Sequence, residues 1–207
     1  MSSEAALPHA GAEEPGTLVL VVGPSGAGKD SLLALARLRL ADEPGVIFAR
    51  RVVTRASSAS EEHDTMTPDA FARARDSNAF CLSWSANGLD YGLRTELRDS
   101  LREGCVVVAN GSRAIVGEAR RRFDRVVSVL VTAPPDVLAR RLEGRERADN
   151  VQDRLVRART VTMDVPADAV IENVGSRDEG AERLVGIIRA VLTRQGTRAP
   201  ALAGGQP

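Results

Sequence analysis

The sequence predicts an α/β fold in three layers, a central parallel sheet with helices on both faces. Three observations predict it. A strand of the fully buried type runs straight into a glycine loop and then a helix. Four further short apolar strands alternate with helical segments, the pattern of a parallel sheet. One polar region, 54–95, interrupts that alternation and reads as an inserted subdomain.

The first strand is 17–22, TLVLVV, a continuous β-branched and leucine run of the kind buried on both faces of a sheet. A helix follows from 29 to about 40, with Leu32, Leu35 and Leu38 on its apolar face and Leu33 and Leu40 widening it. Further strands are expected at 46–53, 105–109, 126–132 and 169–172, and helices near 96–103, 113–122, 135–142, 150–163 and 177–194. Gly104 stands where a C-terminal cap closes a helix, and Pro135-Asp136 and Thr67-Pro68-Asp69 are helix starts. The insert holds a short helix and a strand at 80–84. Residues 1–16 and 196–207, rich in Ala, Gly and Pro, read as loose tails around one folded domain at 17–195.

Composition narrows the function. A chain of 207 residues with 43% hydrophobic content suits one domain, and 28 basic against 28 acidic residues remove the basic excess of a general nucleic-acid binder. The first fifteen residues lack the basic start and apolar stretch of a signal peptide, and no apolar run approaches the roughly 20 residues of a membrane helix. Cys81 and Cys105 share no metal-ligand or redox spacing, so they read as reduced thiols of a cytoplasmic protein. Lys29 is the single lysine, which leaves 27 arginines among the 28 basic residues. A lone lysine in so arginine-rich a chain points to a chemical requirement at that position.

Its setting supplies one. Gly23, Pro24, Ser25, Gly26, Ala27, Gly28, Lys29, Asp30 and Ser31 spell the phosphate-binding pattern G-x-x-x-x-G-K between a strand and a helix. Glycines let the backbone wrap a phosphate with its N–H groups inward, the helix N-terminus adds a favourable field, and the lysine brings a mobile charge to the β- and γ-phosphates. The pattern implies a site for nucleotide phosphates. The residue after the lysine is ordinarily Ser or Thr, whose hydroxyl ligates Mg²⁺. Here it is Asp30, a hard oxygen donor, and Asp30 and Ser31 are the metal candidates.

With these residues in place, the chain from about 17 to 192 resembles the guanylate-kinase branch of the P-loop nucleoside monophosphate kinases. The resemblance rests on GPSGAGK, on Thr54-Arg55, on the stretch from Phe80 through Gly88 to Tyr91-Gly92, and on Arg141 to Arg145 followed by Arg154-Leu155. It implies a P-loop kinase with an acceptor-binding insert and a small lid at about 142–153. It also implies that Arg55 and Tyr91 hold the acceptor's phosphate and that Arg145 and Arg154 close over the transferring group, with Arg141 and Arg147 in reserve. Asn173 and Gly175 fall where related kinases contact adenine through backbone.

The departures carry more information. The three side chains that read guanine in that branch fall on Arg51, Leu82 and Asn110, and none keeps the needed chemistry. A second phosphate-gripping arginine falls on Ser58, and its charge has moved to Arg50 and Arg51. Arginine forks suit phosphate oxygens, so the acceptor implied carries a second anionic group and no base. This pattern, with GKDS, Asn110 to Arg113 as Asn-Gly-Ser-Arg, and Leu-Ser-Trp before Tyr-Gly, resembles the ribose 1,5-bisphosphate phosphokinases of phosphonate metabolism. The resemblance implies ATP- and Mg²⁺-dependent formation of 5-phosphoribosyl 1-diphosphate. Lys29, Arg145 and Arg154 are then catalytic, and Arg50, Arg51, Arg55, Tyr91 and Asn110 bind the acceptor. Small-molecule substrates are the expected partners, with neither nucleic acid nor membrane. His63 is a phosphate candidate near the acceptor loop. A nucleoside monophosphate kinase is the alternative. A non-catalytic binding module of the same fold is a further one, although it has no need of the lysine and lid arginines kept here.

Overall fold

The computed structural model describes residues 15–55, 63–143 and 166–196. The expected helix at 150–163, most of the expected lid, Ser58, Arg145, Arg147 and Arg154 lie outside the described residues, as do nearly all of both expected tails.

Five parallel strands form the central sheet in the order β2-β7-β1-β8-β9: β1 (Thr17–Val22), β2 (Val46–Phe48), β7 (Val106–Asn110), β8 (Val126–Thr132) and β9 (Ala169–Glu172). Every residue of β1 is buried, and successive side chains enter opposite layers because a strand alternates its faces. Val19 and Val21 pack with Leu32 and Ala36 of α1 (Lys29–Arg39) and with Leu184 and Ile188 of α6 (Arg177–Arg194). Leu18, Leu20 and Val22 pack on the other face with Leu101 of α3 (Leu97–Arg102) and with Val116 and Ala119 of α4 (Val116–Arg122). The sequence-predicted layers follow from these two clusters.

Local signals set the element ends. Ser176 caps α6 with a reciprocal Glu179 capping box, Thr67 accepts from the Ala70 amide at the start of α2 (Pro68–Asp76), and Gly104 takes a φ of 81° after α3. Helix α5 (Pro135–Glu143) follows β8. In α1 the buried stripe is Leu32, Ala36 and Leu40, while Leu38 is 74% exposed and not on the core face the sequence reading gave it. Six residues on from Leu32 is about 240° round a helix, so Leu38 faces away. At the β8–β9 seam, the Asp168 carboxylate accepts from the Ser128 amide at 2.7 Å, the Ser128 hydroxyl at 2.8 Å and the Arg120 guanidinium at 2.7 Å. Burial alone pushes this carboxyl up, but those donors together hold it below the ordinary aspartate value.

The second sheet runs β4-β3-β6-β5, from β3 (Arg51–Val53), β4 (His63–Thr65), β5 (Phe80–Ala86) and β6 (Leu89–Arg94). The segment 46–53, expected as one strand, is therefore two strands in two sheets, parted by Ala49 and Arg50. Strand β6, absent from the sequence reading, is the return arm of a hairpin whose turn is Asn87-Gly88, both at positive φ. Cys81, Leu82 and Leu93 of this sheet join the cluster under Leu18 and Leu20, which seats the second sheet on the central one.

Candidate active site

The glycine loop leaves the buried end of β1 and opens α1. Gly23, Gly26 and Gly28 have φ of 147°, 82° and 92°, and Gly28 is the N-cap of α1 in the left-handed region. These are conformations that only glycine takes without strain. A Cβ at Gly23 would land on the Val131 carbonyl oxygen. The Lys29 ammonium folds back over the loop and donates to the carbonyls of Gly23 at 2.7 Å and Pro24 at 2.9 Å.

Asn173, just after β9, fastens the loop from behind. Its buried side-chain amide donates to the Ala27 carbonyl at 2.8 Å, and the backbone carbonyl of Asn173 accepts from Arg141 Nη2 at 2.9 Å. The sequence marked Asn173 only by its position after the last strand. The pairing with Ala27, 146 residues away, has no local signal.

Facing the loop are the residues that the sequence assigns to the acceptor. Asp30, the second residue of α1, accepts with one oxygen, Oδ1, from Asn110 Nδ2 at 2.7 Å and from Arg51 Nη2 at 3.3 Å. Asn110 is the last residue of β7 and Arg51 the first of β3, so one carboxylate joins the nucleotide loop, the central sheet and the second sheet. Arg51 also lies 5.6 Å from the Tyr91 ring centroid. Tyr91 stacks on Trp84 with centroids 5.4 Å apart and planes 8° from parallel, and the two are cross-strand neighbours in the β5–β6 hairpin. An ion pair on one side and an aromatic face on the other fix the plane of the Arg51 fork. Trp84, the only tryptophan, thus backs Tyr91 and walls this side.

Arg55 follows β3 with its Nε shielded from solvent. Thr54 pins that turn to the hairpin, its amide donating to the Asp90 carbonyl at 3.1 Å and its hydroxyl accepting from the Asp90 amide at 2.9 Å. Arg50 goes elsewhere. It is exposed and pairs with Asp64 Oδ1 at 3.1 Å, while Asp64 Oδ2 lies 3.4 Å from Arg94. The structure thus gathers Lys29, Asp30, Arg51, Tyr91 and Asn110 and leaves Arg50 outside the Asp30 cluster. Nothing in the linear order marks Asp64. His63, expected near the acceptor loop, is 4% exposed and occupies a strand position in register with Arg51 across β3–β4. Cys105 precedes β7 and Cys81 lies in β5, and burial pushes both thiols up.

Among the described residues no three acids, histidines or cysteines gather as a metal site. Mg²⁺ beside nucleotide phosphates keeps several waters and asks for one or two protein oxygens. The second carboxylate oxygen of Asp30 and the half-buried Ser31 hydroxyl fit that small demand.

No protein-family model matches the chain. Among curated proteins, it is 48% identical over 183 residues to the ribose 1,5-bisphosphate phosphokinase PhnN of Bradyrhizobium diazoefficiens, covering 87% of this chain and 92% of that one. It is 49% identical over 178 residues to the protein of the same name from Methylobacterium radiotolerans, covering 85% and 99%. Among solved structures, guanylate kinase from Anaplasma phagocytophilum shares the fold, with a TM-score of 0.67 at 19% identity over 92% of each chain. Relatives this similar over nearly their whole length place the chain in the ribose 1,5-bisphosphate phosphokinase family, and to that family it belongs.

Proposed function

We propose that the chain transfers the γ-phosphoryl group of ATP to the anomeric phosphate of ribose 1,5-bisphosphate, giving 5-phosphoribosyl 1-diphosphate and ADP. The observation that carries this reading is the Arg51 fork, held between Asp30 and the Tyr91 ring on the acceptor side of the glycine loop. A planar fork fixed in this way suits a phosphate. The names of the relatives support the same acceptor.

The second ionisation of a phosphate monoester lies near a pKa of about 6, so the attacking anomeric phosphate oxygen is already anionic at neutral pH. No general base is required. That oxygen forms a bond to the γ-phosphorus as the bond to the β–γ bridging oxygen breaks, and ADP leaves with the electron pair. Catalysis then rests on alignment and charge neutralisation. The amides of Gly26 to Gly28 cradle the ATP phosphates, and Lys29 exchanges its loop carbonyls for phosphate oxygens. The first part of the loop, Gly23 to Ser25, sets the path of the backbone. Arg51, Arg55, Tyr91 and Asn110 hold the acceptor, while Arg50 is engaged by Asp64. Arg145 and Arg154 close over the transferring group. Asp30 and Ser31 would hold Mg²⁺, which when bound would supply neutralisation of the phosphate charge.

The test is a coupled assay of ADP release with ATP and Mg²⁺, offering ribose 1,5-bisphosphate and GMP at equal concentration. Turnover with the sugar and none with GMP is expected. Turnover with GMP alone would make the chain a nucleotide kinase.

A further inference from the structure

Asn110 Oδ1 is shielded from solvent and has no hydrogen-bond partner among the described residues, within a residue that is itself 9% exposed. Leaving a buried acceptor unpaired costs stability, so such an atom calls for an explanation. Its direction is set by chemistry. An ionised carboxylate only accepts, so the Asn110 amide must turn Nδ2 toward Asp30, and Oδ1 is necessarily the atom presented elsewhere. Arg51, bonded to the same Asp30 oxygen, stands beside it.

We infer that Asp30 is a positioning residue for the acceptor side and that, through it, Asn110 accepts a hydrogen bond from a ribose hydroxyl of the sugar bisphosphate. The inference rests on the sugar reading above and adds the division of labour within the site. A phosphate dianion offers only acceptors, so it matches the Arg51 fork and cannot match Asn110 Oδ1. A hydroxyl is the complementary donor. A hydroxyl that reaches Oδ1 gains a bond to an oxygen already shielded from water. The same geometry bears on the metal. With Oδ1 committed to two donors, the carboxylate of Asp30 orients Asn110 and Arg51 whether or not its second oxygen meets Mg²⁺.

The experiment compares kcat/KM of the full chain for ribose 1,5-bisphosphate and for its 2-deoxy and 3-deoxy counterparts. Wild-type protein is expected to reject at least one deoxy sugar by roughly tenfold or more. In Asn110→Ala that ratio shrinks toward one while the KM for ATP stays put. Asp30→Asn, in which the Asn110 amide is free to flip, raises the KM for the sugar by roughly tenfold and loses the same discrimination even at saturating Mg²⁺. Equal use of all three sugars by wild-type protein, which requires no variant to fold, overturns the inference. So does an unchanged ratio in Asn110→Ala, or an Asp30→Asn defect confined to the Mg²⁺ midpoint. Absence of turnover with ribose 1,5-bisphosphate itself overturns instead the proposed function.

Discussion

Lys29 holds two neutral carbonyls of its own loop, and an arriving phosphate replaces them with a charge-assisted partner. Lys29→Ala is therefore expected to reduce kcat to less than about a tenth of wild type, with the fold intact by circular dichroism. A kcat above that level would remove the lysine from the transfer step. At this scale the sequence was legible where chemistry concentrates in a short pattern. The lone lysine, the loop glycines and the arginine at position 51 all announce themselves in linear order. Asp30 did so only in part. As an acid after the loop lysine it pointed to a metal, whereas its bonds to Asn110 and Arg51 join residues 80 and 21 positions away. Spacing along the chain carries no trace of such a meeting.

The connection after β9 is the clearest case of one element setting another. The Asn173 amide bridges to the Ala27 carbonyl inside the glycine loop, and a Cβ at Gly28 would lie 2.6 Å from the same amide nitrogen. Asn173→Ala leaves a buried carbonyl unpaired and should cost about 1–3 kcal/mol in denaturant unfolding, together with a raised KM for ATP. Unchanged stability would show that the loop holds its shape alone. Helix α6 was legible to the residue, and the structure adds the reason for its sharp start, the Ser176 capping box. Strand β9 was equally plain. The segment 46–53 was not, because its apolar run crosses without interruption from one sheet into another, and periodicity records burial and not the partner strand. Strand β4 is three polar residues and offered no pattern, whereas β6 alternates Leu89, Tyr91 and Leu93 with polar or small residues after the Asn87-Gly88 turn, a hairpin signal that was present in the sequence and went unread.

For the whole molecule, stability toward acid is expected to depend on the β8–β9 seam. The donors around Asp168 hold its folded-state carboxyl below the ordinary value, so it stabilises the fold above the unfolded-state pKa and loses that contribution as pH falls through the lower folded value. Asp168→Asn should therefore lower Tm at pH 7, and the gap to wild type should close as the pH is taken below about 4. A gap constant across that range would assign the loss to packing. The division into two sheets has its own mechanical result. The chain passes into the second sheet through Ala49 and Arg50 and returns through Thr95 and Glu96, two residues each way. A rigid rotation of that sheet must pivot on these two short links, and displacement then grows with distance from them. A turn of about 10° would carry the Asn87–Gly88 tip about 4 Å but the Arg51 backbone only about half an ångström. Arg51 thus stands beside the links, the place in the second sheet where any such rotation would change the aim of the fork least.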